Sequence, residues 1–220
     1  MDRSVDGIVL RCTPLRDVSL VCAAYTKELG LVSFVTPKSK AARAAIQPYA
    51  RLELVLRPAK NGELYRLIDY SPIDAYLPVR ETLSRMRAAA LCAGALLKSQ
   101  MAGKPSAPLF TTLCRHIERI AKSTEPGRIS AQFLIKLLKH DGLLETPALC
   151  WECKQRLGPA AISHAGTLCC SCTKTSYTEL SASEYNELAA LFESRQIIEG
   201  AIHPSFLGKL QEIFTQKVHG

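Results

Sequence analysis

Cys150, Cys153, Cys169 and Cys172 form two C-x2-C pairs with fifteen residues between them. A two-residue spacer lets each pair curl into a turn that presents both sulfurs on one side, and two such turns can converge four thiolates on a tetrahedral zinc ion. Four protein ligands leave no open position for a substrate, so the chemistry implied is structural: the metal contributes folding energy rather than Lewis acidity. Two disulfides, or a chance cluster of buried thiols, are the competing readings. The first is disfavoured because nothing else in the chain suggests an oxidising compartment. Cys170 offers a rival to Cys169, but only Cys169 restores the two-residue spacer, which leaves Cys170 facing away. Cys12, Cys22, Cys92 and Cys114 sit singly in apolar runs and read as small buried hydrophobes.

The elements that must position these residues follow from period and punctuation. Residues 5–12, 19–26, 31–36, 51–58 and 63–70 are short runs rich in Val, Leu, Ile and Tyr. Turn signals separate them at Thr13-Pro14, at residues 28–30 and at Lys60-Asn61-Gly62, where Asn-Gly between two strand patterns marks a hairpin. Five short strands in about seventy residues are too few for a sandwich; a five-stranded OB-fold barrel is the economical closure. Residues 37–48 break the β pattern, being basic and rich in alanine, and read as a loop or a helical turn.

From residue 81 the period becomes helical. Helices are expected over 81–101, onward from a Ser106 cap, over 129–139, over 185–194 behind the capping box Ser181-Ala182-Ser183-Glu184, and over 203–218. In the second of these, Leu109, Leu113, Ile117 and Ile120 make the apolar face, and Arg115, Arg119 and Lys122 form a basic stripe at i, i+4 and i+7. Around the cysteines, residues 160–162 and 167–168 can pair as a small hairpin. The expected class is therefore α+β with more than one domain: an OB-fold barrel over 1–76, then a helical domain over 77–220 with a zinc knuckle inserted at 148–175.

The net charge of +8 points to a polyanionic partner, and its distribution narrows the choice. Residues 1–76 hold 11 basic and 8 acidic side chains, residues 77–149 hold 11 and 5, and residues 150–220 hold 6 and 7. The zinc region is thus the least basic part. Within residues 33–66, seven basic residues face only Glu53 and Glu63. No P-loop, H-E-x-x-H or G-x-S-x-G occurs, and His116, His140, His164, His203 and His219 are too scattered for a ligand set, so no catalytic centre is expected. The start of the chain carries no charged-then-apolar signal, and no apolar window is long enough to span a bilayer.

The chain resembles the RecO family of bacterial recombination-repair mediators over nearly its whole length. The matching residues are Gly7-Ile8-Val9-Leu10 in the first strand and the T-x-x-x-G turn Thr26-Lys27-Glu28-Leu29-Gly30. They continue in the basic segment Lys38-Ser39-Lys40-Ala41-Ala42-Arg43 with Gln47-Pro48-Tyr49, then in Asp141-Gly142-Leu143 and Pro147 leading into the cysteines. The chain departs from the family at Ser39 and Lys154, where glycine is usual. The resemblance implies a non-enzymatic, cytoplasmic, nucleoid-associated protein holding structural Zn2+. Such a protein binds single- and double-stranded DNA, anneals complementary strands and acts with RecR to load RecA onto DNA coated by single-strand-binding protein, whose acidic tail it recognises. No membrane partner is implied. On this reading Lys38, Lys40, Arg43 and Arg51 are the expected phosphate contacts and Tyr49 a base-stacking ring, while Arg115, Arg119 and Lys122 are weaker contacts for DNA or the acidic tail. The rival reading is a zinc-ribbon, OB-fold protein that binds RNA in translation.

Overall fold

A computed structural model describes residues 1–15, 18–37, 39–59, 64–163, 166–174 and 176–219. Lys38, the Lys60-Asn61-Gly62 turn and His164 lie outside them. Five strands close a barrel in the order β1-β2-β3-β5-β4: β1 (Arg3–Leu15), β2 (Ser19–Thr26), β3 (Gly30–Pro37), β4 (Arg51–Pro58) and β5 (Leu64–Asp74). All neighbours are antiparallel except β3 and β5, which meet in a short parallel seam at Ser33, Phe34 and Val35. This is the OB-like barrel expected from the strand spacing. β1 pairs with β4 along residues 3–8 and with β2 along residues 7–15, and its register with β2 shifts between Val9 and Arg11, a bulge that bends the strand. It also runs through Pro14, where a turn was expected; Pro14 pairs with Leu20 near the end of the ladder, where a missing N–H costs little.

Alternation fills the barrel. Val9, Ala24, Phe34, Leu52, Leu54 and Leu56 point inward with no exposed surface to speak of. Between β3 and β4 lies α1 (Lys40–Ala45), so the segment read as a loop or helical turn is a helix. The Ser39 side chain accepts the Ala42 N–H at 3.1 Å and caps it. Ala42 and Ile46, one turn apart, go into the barrel core and close its end.

The T-x-x-x-G turn has a mechanical explanation. Thr26 Oγ1 accepts the Leu29 N–H at 3.1 Å and donates to the Gly30 carbonyl at 3.0 Å. Gly30 has φ +70, and a Cβ there would stand 2.5 Å from the Lys104 carbonyl oxygen. Both the left-handed backbone and the close approach exclude a side chain. Gly30→Ala is therefore expected to lower stability by about 3 kcal/mol, combining strained backbone with overpacking. Chemical denaturation of the two proteins side by side measures this, and a difference under about 1 kcal/mol would contradict the account.

Contacts divide the chain into two compact units, Met1–Lys122 and Ser123–Gly220. The first contains the barrel together with α2 (Leu83–Ser99) and α3 (Ala107–Lys122). Leu109, Leu113, Ile117 and Ile120 make the buried face of α3, as the helical period predicts. The second contains α4 (Gly127–His140), a sheet ordered β7-β6-β8, α5 (Ala182–Glu193) and α6 (Pro204–His219). The sheet is β6 (Ala160–Ser163), β7 (Gly166–Leu168) and β8 (Tyr177–Leu180). The β6–β7 hairpin was expected; β8 was not. Both reciprocal bonds of the Ser181–Glu184 capping box are formed. Inside this unit Gln132, almost fully buried, donates to the Gln196 carbonyl at 2.8 Å and accepts the Ile198 N–H at 2.9 Å. Lys136 Nζ holds the Phe192 and Ser194 carbonyls at the end of α5. No helix is long and apolar enough to cross a membrane, among the described residues.

Candidate metal centre and nucleic-acid interface

The first cysteine turn is closed by an isolated bridge between Leu149 and Arg156, and by Cys150 N–H donating to the Gln155 carbonyl at 2.8 Å. The Lys154 N–H returns to the Cys150 carbonyl at 3.0 Å, and the left-handed φ of +60 at Lys154 turns the chain as Gln155 follows. A left-handed residue directly after a two-residue knuckle is where glycine would sit without strain. Lys154 offsets part of the cost by placing Nζ 4.7 Å from the Trp151 ring centroid. The second turn follows β7 directly, with Cys172 N–H donating to the Cys169 carbonyl at 3.1 Å.

The two turns face each other. The Sγ atoms of Cys150, Cys153, Cys169 and Cys172 all lie within 4.8 Å of one another. Zinc–sulfur bonds of about 2.3 Å in a tetrahedron require sulfurs about 3.8 Å apart, and Cys153 and Cys169 are at 3.7 Å. The donor set therefore fits a closed four-thiolate site, for which zinc is the matching ion. Its electrostatics agree. Backbone N–H groups of Cys169, at 3.4 Å, and of Cys153 pull the Cys150 thiol down to about 6. Cys172, hydrogen-bonded to the thiols of Cys169 and Cys153, is pushed up to about 12. One thiol ionises readily and a second resists, a conflict that a divalent cation relieves. Cys170 stays outside the quartet, with its Sγ 3.6 Å from Glu179 Oε1.

The basic residues are distributed over several surfaces. Lys40 and Arg43 lie three residues apart on exposed α1, and neither forms an ion pair among the described residues. Arg51 is different. Its Nε donates to Asp6 Oδ1 at 2.9 Å and its Nη2 to Oδ2, a bidentate pair, and the guanidinium lies 5.6 Å from the Phe110 ring centroid. The Asp6 carboxylate holds its pKa above the usual arginine value. Tyr49 is half-buried with φ 75, its N–H bonded to the Val9 carbonyl at 2.7 Å beside the bulge. Burial raises its hydroxyl pKa. Arg115, Arg119 and Lys122 are exposed on α3, and Lys122 pairs with Glu118 at 2.6 Å.

Beside α1, a depression of about 500 Å³ is lined by Ser39, Ala42, Arg57, Arg66 and Tyr70, among others. A neighbouring hollow of about 350 Å³ shares Pro37 and Arg66 with it and adds Tyr65. Arg57 is paired with Asp2 at 2.7 Å, whereas Arg66 is exposed on β5. Arg66, Tyr65 and Tyr70 are absent from the interface expected from sequence. All three pair with β4, and Tyr65 and Arg66 also meet β3 in the parallel seam, which no local pattern announces.

Two family models cover the chain: Recombination protein O N terminal over residues 1–76 and Recombination protein O C terminal over residues 80–216. The DNA repair protein RecO of Chlamydia pneumoniae is 28% identical over 218 residues, spanning 97% of this chain and 82% of that protein. That of Rubrobacter xylanophilus is 29% identical over 178 residues, 76% of this chain and 69% of its own length. That of Chlamydia muridarum is 38% identical over 77 residues, 34% of this chain and 33% of that protein. With both halves of one recombination-protein family matched in order, and a barrel and cysteine cluster of the kind its motifs imply, the chain belongs to the RecO family of DNA repair proteins.

Proposed function

We propose that this protein is a DNA-binding mediator of recombination repair that anneals complementary single strands. With RecR, it helps load RecA onto DNA coated by single-strand-binding protein. The observation that carries the DNA-binding part is the basic helix α1 beside the Arg66–Tyr70 depression on the wall of a closed five-stranded barrel. Annealing two polyanions requires their repulsion to be screened, and cations that displace condensed counterions do this without reading sequence. Tyr65 and Tyr70 supply ring faces on which unpaired bases can stack. Lys38, Lys40 and Arg43 are the proposed phosphate contacts. Arg51, already neutralised by Asp6, contributes less, and Tyr49 stands at the bulge rather than in the depression. Arg115 and Arg119 are the proposed secondary contacts, for DNA or for the acidic tail of the single-strand-binding protein, with Lys122 shared with Glu118. The four cysteines hold structural zinc, whose contribution is folding energy. The reaction takes place in the cytoplasm, at the nucleoid.

Strand annealing on DNA pre-coated with single-strand-binding protein tests this reading. Addition of the protein should speed annealing at least tenfold, and removal of the acidic tail should remove most of that gain. Absence of any acceleration on coated or bare strands would sink it. Preference for structured RNA over single-stranded DNA at matched salt would favour a role in translation instead.

A further inference from the structure

Cys12 and Cys22 were expected to be inert core thiols, yet they are directly opposed across the antiparallel β1–β2 ladder. Opposed residues in such a ladder have Cα atoms about 4.5 or 5.5 Å apart, depending on their hydrogen bonding. Both values fall within the range that a disulfide spans. The side chains turn toward each other: the Cys22 thiol donates to Cys12 Sγ at 2.9 Å, and the Cys12 thiol reaches the Ile46 carbonyl at 3.6 Å. Cys22 has no exposed surface and Cys12 is partly exposed. Neither belongs to the metal quartet.

We propose that Cys12 and Cys22 are an oxidisable dithiol that closes into a cross-strand disulfide when the protein meets a hydroperoxide. The Cys12 thiolate attacks one peroxide oxygen and breaks the O–O bond, giving a sulfenic acid at Cys12 and, after protonation, water. The Cys22 sulfur then attacks the Cys12 sulfur, its proton leaves with the sulfenic oxygen as a second water, and the S–S bond forms. Two thiols and one hydrogen peroxide yield one disulfide and two waters; a dithiol reductant returns the two electrons and two protons by exchange. The roles follow from the hydrogen bond. Donation from Cys22 holds the Cys12 pKa below its ordinary value and that of Cys22 above it, so Cys12 attacks first and Cys22 resolves. Oxidation also removes the hydrogen that Cys12 gives to Ile46, the residue that ends α1. The basic helix loses that tie to the barrel wall.

Peptide mapping of the zinc-loaded full chain tests the proposal. After stoichiometric hydrogen peroxide and alkylation of remaining thiols, trypsin should release peptides 12–16 and 17–27 joined as one species, lighter than their sum by two hydrogens and separated by dithiothreitol. Zinc release, followed in parallel with a chromophoric chelator, should require more peroxide. In Cys22→Ser, Cys12 should be trapped by dimedone as the sulfenic acid. Should that variant not fold, the wild-type cross-link decides alone. Recovery of both peptides singly alkylated at peroxide doses that already strip the zinc would overturn the proposal, as would Cys12 joined to any other cysteine.

Discussion

Cys150→Ser is expected to abolish zinc binding and to destabilise the Ser123–Gly220 unit by about 4 kcal/mol or more, the scale on which lost metal sites stand apart from ordinary substitutions. Cys150 is the only fully buried member of the quartet, and it receives the backbone N–H of Cys169 from the opposite turn. Its sulfur therefore joins the two knuckles even before a metal bridges them. Metal content by mass spectrometry should fall from one zinc per chain to none, and the thermal transition should move to where a strong chelator puts the wild type. Cys170→Ser should keep one zinc per chain, because that sulfur points to Glu179. Zinc uptake releases thiol protons, so loading should weaken as pH falls. DNA affinity should drop only as far as the unit unfolds. Full zinc in Cys150→Ser, or its loss in Cys170→Ser, would reassign the ligands.

Changing Lys38, Lys40 and Arg43 together to Ala should reduce the slope of log affinity against log salt by about two to three units, at roughly 0.7 to 0.9 for each phosphate that the variant leaves unneutralised. Across a fourfold rise in salt, the variant's affinity should then fall about 16- to 60-fold less than the wild type's. Lys40 and Arg43 lie on the outer side of α1, away from the core-facing Ala42, so the barrel should remain folded. Fluorescence anisotropy with a labelled oligonucleotide at several salt concentrations measures the slope. An unchanged slope would remove this segment from the DNA interface and direct attention to Arg66 or to the α3 stripe.

The parts of the molecule that alternate or repeat with a strong period were legible in the sequence. The five strands, the apolar face of α3 and the Ser181 capping box each depend on neighbours within a few positions. The two departures at family glycines also resolve locally: Ser39 caps α1, and Lys154 carries a left-handed φ against Trp151. What escaped was set by long-range pairing. Arg51 looks like a free cation until β1 and β4 bring Asp6 beside it, forty-five positions away. Arg66 and Tyr70 gain a place near α1 only when the barrel closes. β8 alternates exposed and buried positions, but it is four residues long and buries Thr178 while exposing Tyr177, so its hydropathy does not announce a strand; it pairs along the edge of β6. The Cys12–Cys22 opposition likewise needs the β1–β2 register.

The close approach at Gly30 has a bearing on synthesis. Gly30 and Leu31 both bridge to Ala102, the backbone at Lys104 presses on Gly30, and Phe110 covers the guanidinium of Arg51. All five strands have left the ribosome well before these residues do. During translation the nascent barrel must wait, with one end of β3 uncovered until the turn before α3 emerges and the Asp6–Arg51 pair uncovered until the first turn of α3 follows it. A fragment ending at residue 76 would stay permanently in that waiting state.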